Sequence, residues 1–124
     1  MWKKFDAKVR KRWSWGYAGR YKGFWCDSSW ELAFVVFHLD NGIHIERNAK
    51  GFTYEFYKRN HKYYPDFIVD GKYIEIKGSV KRKTQAKFDQ FPEDLIVIGS
   101  EEIKPYLEYA VKTYGEDFFI KLYE

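Results

Sequence analysis

Asp70-Gly71 stands between two apolar runs, Phe67-Ile68-Val69 and Tyr73-Ile74-Glu75-Ile76. A two-residue connection with glycine second tolerates the positive φ that a type I′ turn needs at both centres, so the pair predicts a tight hairpin and sets its register. Val69 then faces Lys72, Ile68 faces Tyr73, Phe67 faces Ile74 and Asp66 faces Glu75. Directly opposed residues share a face. Asp66 and Glu75 therefore project to one side, joined two residues on by Lys77, while Phe67, Val69, Ile74 and Ile76 project into the core. Like charges set opposite one another destabilise a sheet. A divalent cation between them reverses that sign. The plain alternative is an ion pair of Asp66 with Lys77 on a surface sheet, a contact worth little.

Upstream, Ser28 followed by Glu31 forms a capping box, and Asn41-Gly42 supplies a left-handed stop, which together predict a helix over 29–40. Leu32, Val35, Val36 and Leu39 give it an apolar stripe that Phe34 and Phe37 widen, so the helix is expected to be buried. Alternation predicts strands over 43–48 and 52–58, pairing as a hairpin, followed by a basic loop, Lys58-Arg59-Asn60-His61-Lys62. A short helix is expected around 81–90 and an apolar strand over 95–98. A helix begins near Pro105, presents Leu107, Ala110, Val111 and Tyr114 on one face and stops at Gly115, and an edge strand is expected over 118–123. Cys26 reads as a small buried filler, and the dispersed His38, His44 and His61 lack zinc-ligand spacing.

With 124 residues and 45% hydrophobic composition, the chain is expected to form one domain, 1–124: a basic aromatic arm over 1–26, a core over 27–98 and a C-terminal helix and strand over 99–124. No apolar run approaches the roughly 20 residues needed to cross a bilayer. The first six residues also lack the apolar stretch of a secretory signal, so a cytoplasmic protein without a membrane partner is expected. Net charge is +4, but residues 1–22 carry net +7 and residues 84–124 net −5. The arm interleaves these cations with Trp2, Phe5, Trp13, Trp15, Tyr17, Tyr21, Phe24 and Trp25 and is punctuated by Gly16, Gly19 and Gly23. Such a mixture suits phosphate neutralisation and stacking on bases. Lys8, Arg10, Lys11, Arg12, Arg20, Lys22, Arg59, Lys62, Lys81, Arg82 and Lys83 are the candidate nucleic-acid contacts. The bland readings are a solvated basic tail and aromatics that belong to the core.

Pro65-Asp66 followed by Glu75-Ile76-Lys77 resembles the PD-(D/E)XK nuclease superfamily. The wider pattern, Ser28-Ser29-Trp30-Glu31, then Tyr64-Pro65-Asp66-Phe67 and Glu75-Ile76-Lys77-Gly78, is similar to small phage-encoded and homing-type endonucleases of that superfamily. The resemblance covers residues 28–98 and implies an α/β, restriction-endonuclease-like core of a helix, a three-stranded antiparallel sheet, a helix and a strand. It also implies a DNA endonuclease dependent on Mg²⁺, with Mn²⁺ substituting, and located in the host cytoplasm if phage-encoded. Asp66, Glu75 and the Ile76 carbonyl become implied metal ligands, with Glu31 a further acidic ligand from the preceding helix and Lys77 orienting or deprotonating water. Gln85 and Lys87 are implied supporting contacts, and pairing into a homodimer or higher homo-oligomer would serve cleavage of two strands.

Hydrolysing a phosphodiester demands a hydroxide equivalent near neutral pH and neutralisation of charge on phosphorus, which hard oxygen ligands around a divalent cation can supply. Three rival readings stay open: a nuclease selective for branched DNA, a non-catalytic nucleic-acid-binding module, and an interaction protein that uses the exposed aromatics of the arm. For Glu31 the capping role and the ligand role are compatible.

Overall fold

A computed structural model describes residues 17–124 and the backbone of residues 9–11. Lys8 and Arg12, with Trp2, Phe5, Trp13 and Trp15, lie outside the described residues, as do the side chains of Arg10 and Lys11. The fold is mixed α/β, with four helices and three separate sheets among the described residues. The chain packs as two units, Met1–Ile43 with Ile103–Glu124, and His44–Glu102.

In the first unit, β1 (Val9–Lys11), β2 (Tyr17–Tyr21) and β3 (Phe24–Cys26) form an antiparallel meander. The aperiodic arm expected from the sequence is thus a sheet from Tyr17 onward. Lys22 and Gly23, at φ 46° and 88°, turn β2 into β3 within two residues, and the small Ala18 and Cys26 lie fully buried. Cys26 is a free, buried thiol, as a filler should be.

Helix α1 spans Ser29–Asp40. Ser28 Oγ accepts the Glu31 N–H at 3.2 Å, while the Glu31 carboxylate reaches back to the Asp27 N–H at 3.2 Å, so the capping box closes one residue earlier than its usual form. Leu32, Ala33, Phe34, Val35 and Val36 are all buried, which makes the helix apolar around most of its circumference. Truncating Leu32 to alanine would cost about 2–5 kcal/mol.

Helix α3 (Lys104–Tyr114) packs on α1 through Tyr106, whose ring lies 4.9 Å from Phe34 and 5.1 Å from Phe37. Asp40 Oδ2 accepts both the Tyr109 and the Tyr114 hydroxyls, at 2.8 and 2.6 Å. Val111, expected on the buried face, is instead exposed, because the packed face runs through Ile103, Tyr106 and Ala110. The expected edge strand over 118–123 is a helical turn, α4 (Phe118–Lys121). Its Asp117 carbonyl receives the Ile120 and Lys121 N–H groups, so local bonds satisfy the segment, and the chain reaches β2 at Glu124, whose N–H donates to the Arg20 carbonyl at 2.7 Å.

The second unit is built on a four-stranded sheet ordered β4 (Glu46–Arg47), β7 (Phe67–Val69), β8 (Lys72–Ile76), β9 (Leu95–Ile98). The first three strands run antiparallel and β9 joins β8 in parallel. Asp70 and Gly71, at φ 52° and 74°, make the expected tight turn, and the ladder Val69↔Lys72, Ile68↔Tyr73, Phe67↔Ile74 has the expected register. Phe67, Ile74 and Ile76 are buried on the face away from the carboxylates.

Two expectations fail here. The 43–48 segment does not pair with 52–58; β4 is two residues long and pairs with β7. The 52–58 segment gives β5 (Phe52–Phe56), which pairs with β6 (Arg59–Tyr63), so the expected basic loop is the second strand of an inserted hairpin. Its turn residues are Tyr57 and Lys58, at φ 51° and 60°. Left-handed backbone costs a non-glycine residue about 1–2 kcal/mol. The pairing it permits, with Phe52, Tyr54 and Tyr63 buried, offsets that cost.

Helix α2 (Arg82–Asp89) lies against this hairpin. Gln90, its C-cap, receives the Glu55 N–H and donates to the Glu55 carbonyl, both at 2.7 Å, so the side chain stands in for a missing strand neighbour of β5.

Candidate functional site

The ladder between β7 and β8 stops at Phe67↔Ile74 because the chain preceding it is Pro65-Asp66, and proline has no N–H to donate. The side chain of Asp66 takes over where the backbone leaves off. Its Oδ2 accepts the Ile76 N–H at 2.8 Å, which holds Asp66 beside Glu75 on the face opposite Ile74. Asn48 secures the same peptide from the other side: its amide donates to the Pro65 carbonyl at 3.0 Å and its N–H to the Asp66 carbonyl at 3.1 Å. The Asn48 amide also donates to the Lys50 carbonyl, and its Oδ1 accepts the Lys50 N–H. At Gly51 a Cβ would stand 2.7 Å from the Tyr64 ring, so only glycine lets that ring lie on this loop.

Glu75 is buried, at 8% exposure, and its Oε1 accepts the Tyr63 hydroxyl at 2.8 Å. Burial, then the charge of Glu75 and its bond, push the Tyr63 hydroxyl well above the ordinary tyrosine pKa, so it is a permanent donor. Asp66 adds to the same effect, which places both carboxylates within electrostatic reach of one phenol. Lys87 lies with its Nζ 5.2 Å over the Tyr63 ring. Burial lowers its pKa below the usual lysine range; Glu75 and Asp66 oppose that, while Lys77 and Lys83 reinforce it. Phe88 and Phe91 close around Tyr63, and Phe91 and Phe52 around Tyr73.

The structure therefore gathers Asp66, Glu75 and Lys87 around Tyr63, and Lys77 is within electrostatic reach of Lys87. Gln85 is on the exposed side of α2, where its amide donates to Asp89 at 2.7 Å. Glu31 belongs to the other unit, buried in the first turn of α1 and engaged in its cap. Of the candidate nucleic-acid contacts, Arg20, Lys22, Arg59, Lys62, Lys81, Arg82 and Lys83 are exposed. Sequence reasoning missed Tyr63 and Asn48. The hairpin partner of Phe52 was the signal for Tyr63, but it was hidden because Arg-Asn-His-Lys reads as a loop; nothing local distinguishes Asn48.

As a donor set, two carboxylates side by side fit Mg²⁺, which takes one or two carboxylates and keeps several waters. A carboxylate accepts at about four lone-pair positions, so the Tyr63 and Ile76 bonds orient these groups without exhausting them. Among the described residues no group of three or more His, Cys, Asp or Glu side chains is placed to hold a metal ion, so the donor set is this pair with main-chain oxygens and water. No helix among the described residues is long and apolar enough to cross a membrane.

No protein-family model matches the chain, and no curated protein or solved structure matches it.

Proposed function

We propose that this protein is a metal-dependent DNA endonuclease with a PD-(D/E)XK site. The observation that carries the reading is the Asp66–Glu75 pair, held side by side by the Ile76 N–H and the Tyr63 hydroxyl with Lys77 and Lys87 in electrostatic range. Glu75 is buried while Asp66, Lys77 and Lys87 are half-buried, and catalytic sites are where such partly desolvated charged groups collect. The succession α1, β4, β7, β8, α2, β9 supports a restriction-endonuclease-like core, with the β5–β6 hairpin inserted between the first two strands of the sheet.

Asp66, Glu75 and the Ile76 carbonyl would hold Mg²⁺ or Mn²⁺, with water completing the set. When bound, the ion lowers the pKa of water and neutralises charge on the phosphate. The chain's own groups do the rest. Lys77 orients the attacking water and stabilises the negative charge that grows as its oxygen bonds to phosphorus and a phosphodiester P–O bond breaks. Lys87 offsets the charge of the carboxylates, and Tyr63 keeps Glu75 ionised and in place. The exposed cations of β6 and α2 bind the DNA backbone, and a homodimer would supply two sites for two strands.

The test is incubation of the purified protein with supercoiled plasmid and with a four-way junction, with and without Mg²⁺ or Mn²⁺, beside Glu75→Ala. Metal-dependent cutting lost in the variant is expected, and the substrate cut distinguishes a duplex from a junction enzyme. Salt-sensitive binding, unchanged by Glu75→Ala and without cutting, would replace the proposal with a non-catalytic binding module.

A further inference from the structure

The tip of the β5–β6 hairpin carries features that the catalytic reading does not use. Tyr57 is 72% exposed, the highest exposure among the large hydrophobic side chains that stand out from the described surface. It occupies the first central position of a two-residue turn at φ 51°, and Lys58 the second at φ 60°, although asparagine or glycine fits such positions with less strain. The ring is not loose. Phe56 flanks it at 4.3 Å with the planes inclined by 47°, and Arg82 donates to its hydroxyl at 3.5 Å. Lys58 and Arg59 are exposed beside it, and the Gln90 clamp on Glu55 ties the hairpin to α2, which brings Arg82.

A bulky ring held out to solvent at a backbone position that disfavours it, with Arg82 on its hydroxyl and the exposed Lys58 and Arg59 next in the chain, has the chemistry of a base-stacking platform: an aromatic face for a nucleobase and positive charge for the adjoining phosphates. A fully stacked duplex offers no free base face, whereas a single strand, bulge or junction does. We infer that Tyr57, with Lys58, Arg59 and Arg82, stacks on an unpaired base of DNA and thereby selects substrates with unpaired or branched segments. The inference rests on the nuclease proposal for the identity of the polymer, but its test does not depend on cleavage.

The experiment is equilibrium binding by fluorescence anisotropy in EDTA, at two salt concentrations, to a single-stranded probe, a bulged duplex and a perfect duplex of equal length. Tyr57→Ala should weaken binding to the first two by roughly five- to a hundredfold and to the perfect duplex by less than twofold. Tyr57→Trp should retain the preference. Tyr57→Asn guards against a folding defect: asparagine accepts the left-handed backbone, so its Tm should equal or exceed the wild type's while unpaired-base binding falls as in the alanine variant. Lys58→Ala should weaken all three probes alike and reduce the salt slope by about one. Equal loss on all three probes in Tyr57→Ala, no loss on any, or no binding by the wild type would overturn the inference. Loss of plasmid cutting in Glu75→Ala is read separately, so failure of one proposal is distinguishable from failure of the other.

Discussion

Tyr63, the last residue of β6, donates its hydroxyl to Glu75 Oε1 at 2.8 Å in a buried setting, so the inserted hairpin fixes the orientation of a carboxylate on the central strand. Tyr63→Phe keeps the ring packing and removes only that bond. Hydrogen bonds to charged groups are worth about 1.5–3 kcal/mol, and urea denaturation should register a loss of that size. Metal-dependent cutting should fall with it, through a Glu75 less firmly placed.

Asn48 gives a prediction with a direction built in. Asn48→Ala leaves the Pro65 carbonyl without its donor and should cost about 1–3 kcal/mol. Asn48→Asp should be worse than alanine, since it turns an acceptor toward the Pro65 and Lys50 carbonyls. Thermal melts of the two variants at pH 7 check the ranking.

Glu31 separates capping from ligation. Glu31→Gln retains an oxygen for the Asp27 N–H and should melt near the wild type, whereas Glu31→Ala should lose about 1 kcal/mol. If Glu31 also serves the metal, as the resemblance implies, the glutamine variant alone should lose cutting while keeping its fold; cutting at the wild-type rate in Glu31→Gln would confine the residue to its cap.

His38 is buried, 2.7 Å from the Phe34 carbonyl, and burial lowers its pKa below 6.5, with that bond only partly opposing. The unfolded chain then binds this proton more tightly than the folded one. Its contribution is therefore undiminished above pH 6.5, and stability declines as pH falls from 6.5 toward the lower folded value. Urea midpoints at pH 7.5 and 5.5 should differ, and His38→Gln should shrink the difference.

Where local chemistry is strong, the sequence was readable. Ser28 with Glu31, Asn41-Gly42 and Asp70-Gly71 each carry their own geometry, and the helix over 29–40 and the register about Asp70 appear as expected. The readings that failed depend on distant partners. Ile43 to Asn48 alternates like a strand, but its neighbour comes from Phe67 and Ile68, and 118–123 has strand-like composition yet forms a helical turn whose N–H groups bond back within the segment. Arg59 to Lys62 became a strand because Tyr57 and Lys58 adopt a backbone their side chains disfavour, which no propensity anticipates. Within the site, Asp66, Glu75 and Lys77 follow from register alone. The choice of Lys87 over Gln85 required knowing which side of α2 meets the hairpin.

The chain leaves the sheet after Arg47 and returns at Phe67, and those two residues are direct partners in the β4–β7 ladder. The β5–β6 hairpin between them is therefore an excursion with a shared entrance and exit, and it could be exchanged for another without shifting the pairing on either side, so long as Asn48 and Asp66 at its two ends keep their bonds. Tyr63 sets the condition on such an exchange. A substitute head lacking a donor at that place would leave Glu75 without its support, so a lineage could alter what the hairpin tip touches far more freely than how its base is anchored.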